Sequence, residues 1–170
     1  QRAWVYVNGL LAGTHTGGYT AFTLDITKLL RGGENILTVA VRDDTDTVPL
    51  SRGKQKTKRG GIWYTPQSGI WQTVWAEQVP ENHVQALLFT PELPDRRVHW
   101  QITAPAPKGA RIEISYQGTP VAEGEADEDG CGSAVLPPEQ LHLCSPEEPS
   151  LYEVTVTLRD DTVKSYFAMR

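Results

Sequence analysis

The sequence has no sustained helical pattern: across its 170 residues the apolar positions recur at every second residue, not at every third or fourth. That excludes a helical bundle and points to an all-β chain. Cysteine is scarce as well. Cys131 and Cys144 are the only two, too few for a disulfide framework, and with no CxxC or neighbouring histidine they make no metal site. They read as reduced thiols, which leans the expectation towards a cytoplasmic setting. No apolar run is long enough to span a bilayer and no charged-then-apolar leader opens the chain, so no membrane partner is expected. Gln1 stands directly before a strand and reads as a cut end. Positive charge is in deficit, with a formal net charge of -5, which argues against a general polyanion binder. His15, His83, His99 and His142 are scattered at spacings that suit no metal.

What is present is a series of strand signals. Trp4-Val5-Tyr6-Val7 runs into Asn8-Gly9, a dipeptide that tolerates positive φ at both central turn positions, so a hairpin is expected with its second strand from about Leu10. Asp25-Ile26-Thr27, Lys28-Leu29-Leu30 and Gly32-Gly33 read as one capped helical turn stopped by glycine. Leu37, Val39 and Val41 alternate with Thr38 and Ala40, and Gly69 to Trp75 predicts a further strand. Between these two lies a long excursion. Its segment from Arg52 to Arg59 holds five basic residues, followed by Gly60, Gly61, Ile62, Trp63, Tyr64 and Pro66. A loop of that length is usually functional or disordered.

Composition shifts at Gln78-Val79-Pro80-Glu81-Asn82, which places a domain boundary between residues 79 and 80. Beyond it Val98, Trp100 and Ile102 share one face, as do Ile112, Ile114 and Tyr116, and Tyr152, Val154, Val156 and Leu158. Turn signals at Ala104 to Pro107 and Gln117 to Pro120 separate strands at about ten-residue spacing, the rhythm of an immunoglobulin-like sandwich. The Cys, Trp, Cys arrangement of antibody domains is missing, so only the architecture is implied.

A family resemblance is carried by Val7-Asn8-Gly9, the stretch from Gly13 to Phe22, Asp25-Ile26-Thr27, Gly33 to Leu37 and Ser68 to Trp75. Leu143 to Glu147, Pro149 to Tyr152 and Tyr166 to Arg170 continue it. In order and spacing these resemble the family 2 glycoside hydrolases, the β-galactosidases, β-glucuronidases and β-mannosidases. Cys144 departs from the family's usual Trp and Ala168 from its usual Gly, and the smaller side chain at Cys144 should leave the local packing reduced.

The resemblance implies the C-terminal part of a galactose-binding-like jelly roll over residues 1–79, followed by an immunoglobulin-like β-sandwich over residues 80–170. In the family a TIM barrel bearing both catalytic glutamates comes next, and it is missing from this chain. No cofactor and no metal are implied, and carbohydrate is the partner expected through the parent enzyme. Retaining hydrolysis needs two carboxyl groups about 5 Å apart. The densest acidic run, Glu123 to Asp129, reads instead as a solvated loop. The truncated jelly roll should expose apolar surface, which self-pairing into a homo-oligomer or strands from another chain would cover.

The candidate substrate-binding residues are Arg52, Lys54, Gln55, Trp63, Tyr64 and Gln67, with Arg, Lys and Gln donors meeting hydroxyls or a carboxylate and Trp63 or Tyr64 stacking on a pyranose face. A second reading has Trp63, Tyr64, Trp71 and Trp75 filling the interface between sandwich and barrel, with the basic residues solvated. Nucleic acid is disfavoured, because no aromatic is interleaved among Arg52, Lys54, Lys56, Lys58 and Arg59. A free-standing carbohydrate-binding module remains the alternative to a glycosidase fragment.

Overall fold

The computed structural model describes all residues, 1–170, as ten strands and two single 3-10 turns. They divide into two units, Gln1–Trp75 and Ala76–Arg170.

In the first unit β1 (Arg2–Val7) pairs antiparallel with β2 (Leu10–Thr16) on one side and with β3 (Leu37–Arg42) on the other. The expected hairpin forms at Asn8-Gly9, with φ of 53° and 82°. Asn8 also ties the turn to the connector. Its main-chain N–H donates to Ile36 O at 2.8 Å. Its side-chain Nδ2 donates to Leu29 O at 3.0 Å and Asn35 Oδ1 at 2.8 Å, and its Oδ1 accepts the Ile36 N–H at 3.0 Å. The helical turn is a 3-10 turn, Thr27–Leu29, whose first N–H donates to Asp25 Oδ1 at 2.9 Å.

Two features differ from, or sharpen, the reading of the sequence. Gly69 to Trp75, expected as a strand, belongs to no sheet. Its alternating residues lack a neighbouring strand to complete a ladder, and an extended segment without one is not a strand however well it alternates. Trp71 is tethered instead by its indole N–H, which donates to Gly18 O at 2.8 Å, and by an edge contact with Tyr19. The second feature is how little apolar surface the sheet buries. Val5 and Val7 are the unit's only buried apolar residues, whereas Leu10, Leu11, Ile36, Leu37 and Val41 are all exposed.

The second unit is a sandwich of two sheets. One holds β4 (Ala86–Glu92), β5 (Arg97–Thr103) and β8 (Cys131–Val135) in the order β4-β5-β8. The other holds β6 (Arg111–Tyr116), β7 (Thr119–Glu125), β9 (Tyr152–Leu158) and β10 (Asp161–Phe167) in the order β10-β9-β6-β7. The expected inward residues are all in the core except Tyr116, which packs at its margin: Val98, Trp100 and Ile102 come from one sheet, and Ile112, Ile114, Tyr152, Val154, Val156 and Leu158 from the other. Glu123 and Glu125, expected in a solvated loop, complete strand β7; only the residues from Asp127 to Gly130 form the turn. Their outward alternation with buried Ala126 and half-buried Ala122 is what a strand requires and a loop does not. Cys144, with Phe89, Leu151, Tyr166 and Ala168, lines an open hollow of about 450 Å³, at the place where smaller packing is expected.

Tyr152 opens β9 as a tyrosine corner. Its hydroxyl accepts the His142 N–H at 2.7 Å and donates to Gln140 O at 2.7 Å, pinning the connection between β8 and β9. Burial pushes the phenol above its ordinary pKa, although the bond from His142 works the other way. Its ring stacks on Phe167 at 5.0 Å and tilts against Tyr116 at 5.4 Å. Tyr152→Phe keeps the ring and strands two backbone groups, so it is expected to cost about 1–3 kcal/mol, read as a lower denaturant midpoint at unchanged slope. Tyr116→Phe, whose hydroxyl donates to Ser150 Oγ at 3.3 Å and accepts from Gln117 Nε2 at 3.5 Å, both side chains, should cost less. Equal costs would mean that the corner contributes nothing special.

Candidate functional site

The excursion after β3 folds back on itself. Tyr64 N–H donates to Lys54 O at 2.8 Å and Lys56 N–H to Tyr64 O at 3.1 Å, while Gly60 and Trp63 exchange main-chain bonds at 3.2 and 3.1 Å. Gly60 and Gly61, at φ of 143° and 57°, supply the positive-φ positions that let so short a turn close. The Gln67 N–H donates to Gln55 Oε1 at 2.7 Å, drawing the two ends together. Lys54, Gln55, Tyr64 and Gln67 are therefore brought into one hairpin-like loop, whose tip bridge at Gly60 and Trp63 is antiparallel and whose Gln55 and Tyr64 bridge is parallel.

A carboxylate anchors its middle. Asp46 Oδ1 accepts the Thr57 hydroxyl at 2.6 Å and the Thr57 N–H at 3.2 Å. Those two bonds, the hydroxyl first, hold the Asp46 carboxyl below its usual pKa. Arg59 Nη1 donates to Thr65 Oγ1 at 3.1 Å across the turn, and Ser68 Oγ donates to Asp43 Oδ2 at 3.2 Å at the base. No spacing signal marks Asp46, Thr57 or Thr65 along the chain, because these contacts join residues whose separation is set by the folded turn.

The two candidate aromatics are unequal. Trp63 is half-buried, with Lys56 Nζ over its ring at 4.2 Å from the centroid, a cation–π contact that occupies one face. Tyr64 is 65% exposed. Arg52 is not part of the cluster: its Nη1 donates back to Leu50 O at 3.3 Å, and its Nε is enclosed without a partner. Trp71 and Trp75, 65% and 71% exposed, lie outside the hairpin.

One pair of carboxylates in the second unit is held by an arginine. Glu113 and Glu123 face each other across β6 and β7, and Arg111 Nη2 bridges them at 3.1 and 3.0 Å on an open strand face. The hydrogen bond donated to Glu123, then the charges of Glu113 and Glu123, raise the Arg111 pKa. The histidines are dispersed: His15 stacks on Phe22, His83 bonds Pro80 O, His99 bonds Glu92 and His142 stacks on Tyr116.

No family model matches the chain. A Formosa agariphila protein that bears the provisional name β-glucuronidase is 36% identical over 86 residues, which is 51% of this chain and 10% of that protein. A β-galactosidase of Thermoanaerobacter pseudethanolicus is 34% identical over 91 residues, 51% of this chain and 11% of that protein. The crystal structure of Ruminococcus gnavus β-glucuronidase superposes with a TM-score of 0.75 at 20% identity, over 99% of this chain and 31% of that one. The chain spans about a tenth of the length of the first two relatives. In sequence over half its length, and in fold over nearly all of it, the chain resembles part of the β-galactosidases and β-glucuronidases of glycoside hydrolase family 2.

Proposed function

We propose that the chain is a non-catalytic region of a retaining family 2 glycosidase, in which it positions the catalytic barrel and borders the sugar pocket with the hairpin from Arg52 to Gln67. The observation that carries this reading is the mismatch of coverage: the fold takes up 99% of this chain but 31% of the Ruminococcus gnavus enzyme. In the second unit the facing carboxylates Glu113 and Glu123 are bridged by Arg111 on an open strand face, which agrees with it. In that setting Gln55 and Gln67 present hydroxyl-directed groups and Tyr64 a ring face, while the sandwich of the second unit serves as a spacer.

A free-standing carbohydrate-binding module is the second reading. It is favoured by the hairpin's own bonds, which hold Lys54, Gln55 and Tyr64 together without any external partner. Turnover separates the two. The 170-residue chain should hydrolyse no aryl β-glucuronide, β-galactoside or β-mannoside above buffer, whereas the native reading frame should extend into a strand-helix repeat with two glutamates, and that longer protein should hydrolyse one of the three. A reading frame that stops at the end of this chain would favour the module. Turnover by the chain, lost on mutating one of its own carboxylates, would overturn both.

A further inference from the structure

Strand β3 has a free outer edge, since it hydrogen-bonds to β1 alone. The bond from Asn8 N–H to Ile36 O at 2.8 Å fixes which of its residues look which way. In an antiparallel ladder the main-chain groups of successive residues point alternately to the two sides, so those of Ile36, Thr38, Ala40 and Arg42 point to β1. Those of Leu37, Val39 and Val41 point outward and meet no strand. The opposite edge of the sheet is guarded, because the register of β1 with β2 shifts between Val5 and Tyr6, an irregularity that spoils flat pairing. β3 has no such guard. Its register with β1 runs unbroken from Leu37 to Arg42, it holds no proline, and its one charged residue, Arg42, is already paired with Asp44 at 2.8 Å.

An edge of this kind is a template for another strand. Surface remains to be covered as well: the chain exposes 12027 Å², whereas even two separate compact units of its total mass would expose about 10,000 Å², and a standard interface takes about 800 Å² from each partner. Leu37 and Val41 are themselves 49% and 40% exposed. We infer that the occupant of the β3 edge is a second copy of this chain, joined antiparallel through β3 about a two-fold axis. The strand is complementary to itself. With the axis at Val39, Val39 meets the partner's Val39 and Leu37 meets the partner's Val41, and each pair brings outward main-chain groups together so that both of its N–H to O bonds form. Leu37, Val39 and Val41 share the sheet face of Val5 and Val7, so their side chains continue one apolar row across the axis, while Thr38 lies opposite the partner's Ala40. A slip of two residues either way loses one of the three outward pairs.

Sedimentation equilibrium of the whole chain from about 1 to about 500 µM should show monomer and dimer in exchange with a Kd of about 50 µM, and nothing larger, because a two-fold contact closes on itself. At the few micromolar used for hydrogen exchange by mass spectrometry the chain is then chiefly monomer. Val39→Pro removes an outward N–H and leaves every bond to β1 in place, so it should raise Kd at least about tenfold with an unchanged circular dichroism spectrum. Should proline disturb the sheet itself, a charge exchange at the exposed Thr38 and Ala40 decides. Thr38→Lys/Ala40→Lys and Thr38→Glu/Ala40→Glu each set like charges opposite one another across the axis and should each be monomeric alone, whereas their equimolar mixture should pair. A chain that stays monomeric to about 500 µM, assemblies larger than a dimer, charge variants that associate like the unaltered chain, or a mixture that fails to pair would each overturn the β3 dimer and leave that edge to a strand of another kind. The glycosidase reading is untouched by either result, since it turns on hydrolysis by a longer protein.

Discussion

Trp100→Ala is expected to cost the second unit about 3–5 kcal/mol, a fall of at least ~12 °C in its melting temperature. Trp100 is 3% exposed and lies in the middle of the sandwich, on the central strand β5. The space around the indole is shaped by two glycines. A Cβ at Gly124 would come within 2.6 Å of Trp100 Cη2, and one at Gly132 within 2.5 Å of its Nε1. Removing the ring therefore leaves a void that neither of these two positions has a side chain to fill. Trp100→Phe should cost distinctly less, because the Trp100 indole N–H is buried without a partner and its removal relieves a desolvated donor. Differential scanning calorimetry of the three proteins decides it. A loss under about 1 kcal/mol for the alanine variant would mean that the sandwich can collapse around the gap.

The second large effect is a difference between units. Amides of β5, β6 and β9 are expected to exchange at least about a hundredfold more slowly than those of β1 and β3, a difference near 2.7 kcal/mol in opening free energy. The core cluster draws all fifteen of its residues from the second unit, whereas the first buries only Val5 and Val7, at 8% and 2% exposure. A ladder of hydrogen bonds with so little apolar burial behind it opens readily. Hydrogen exchange read by mass spectrometry on the whole chain measures the two sets together. Equal protection would mean that the first sheet is covered in solution, for instance by a second copy.

How much of this was legible beforehand depended on the range of the interaction. The core of the sandwich was readable because alternation along Val98 to Ile102 and Tyr152 to Leu158 is a property of each strand alone. The Asn8-Gly9 turn was readable for the same reason. Gly69 to Trp75 misled, since alternation reports that a segment could sit in a sheet and says nothing of whether a neighbour exists. Within the hairpin, the basic run and the aromatics stood out, but their arrangement did not. Lys56 covering Trp63, and Asp46 holding Thr57 eleven residues away, are products of the folded turn. The grip of Tyr152 on Gln140 and His142 was equally hidden, because a buried hydroxyl is chosen by two backbone groups that pattern cannot locate.

The turn at Asn8 has a consequence for the chemical ageing of the chain. An asparagine followed by glycine is prone to lose ammonia when the next backbone nitrogen attacks its side-chain carbonyl carbon and closes a succinimide, which water then opens to aspartate or isoaspartate. Here the side-chain amide of Asn8 is held by Leu29 O, Asn35 Oδ1 and the Ile36 N–H, so its carbon cannot swing towards the Gly9 nitrogen while those bonds persist. Ring closure has to wait for the turn to come away from the connector between β2 and β3. The isoaspartate content at position 8 of a stored sample therefore records the cumulative time that the turn has spent released.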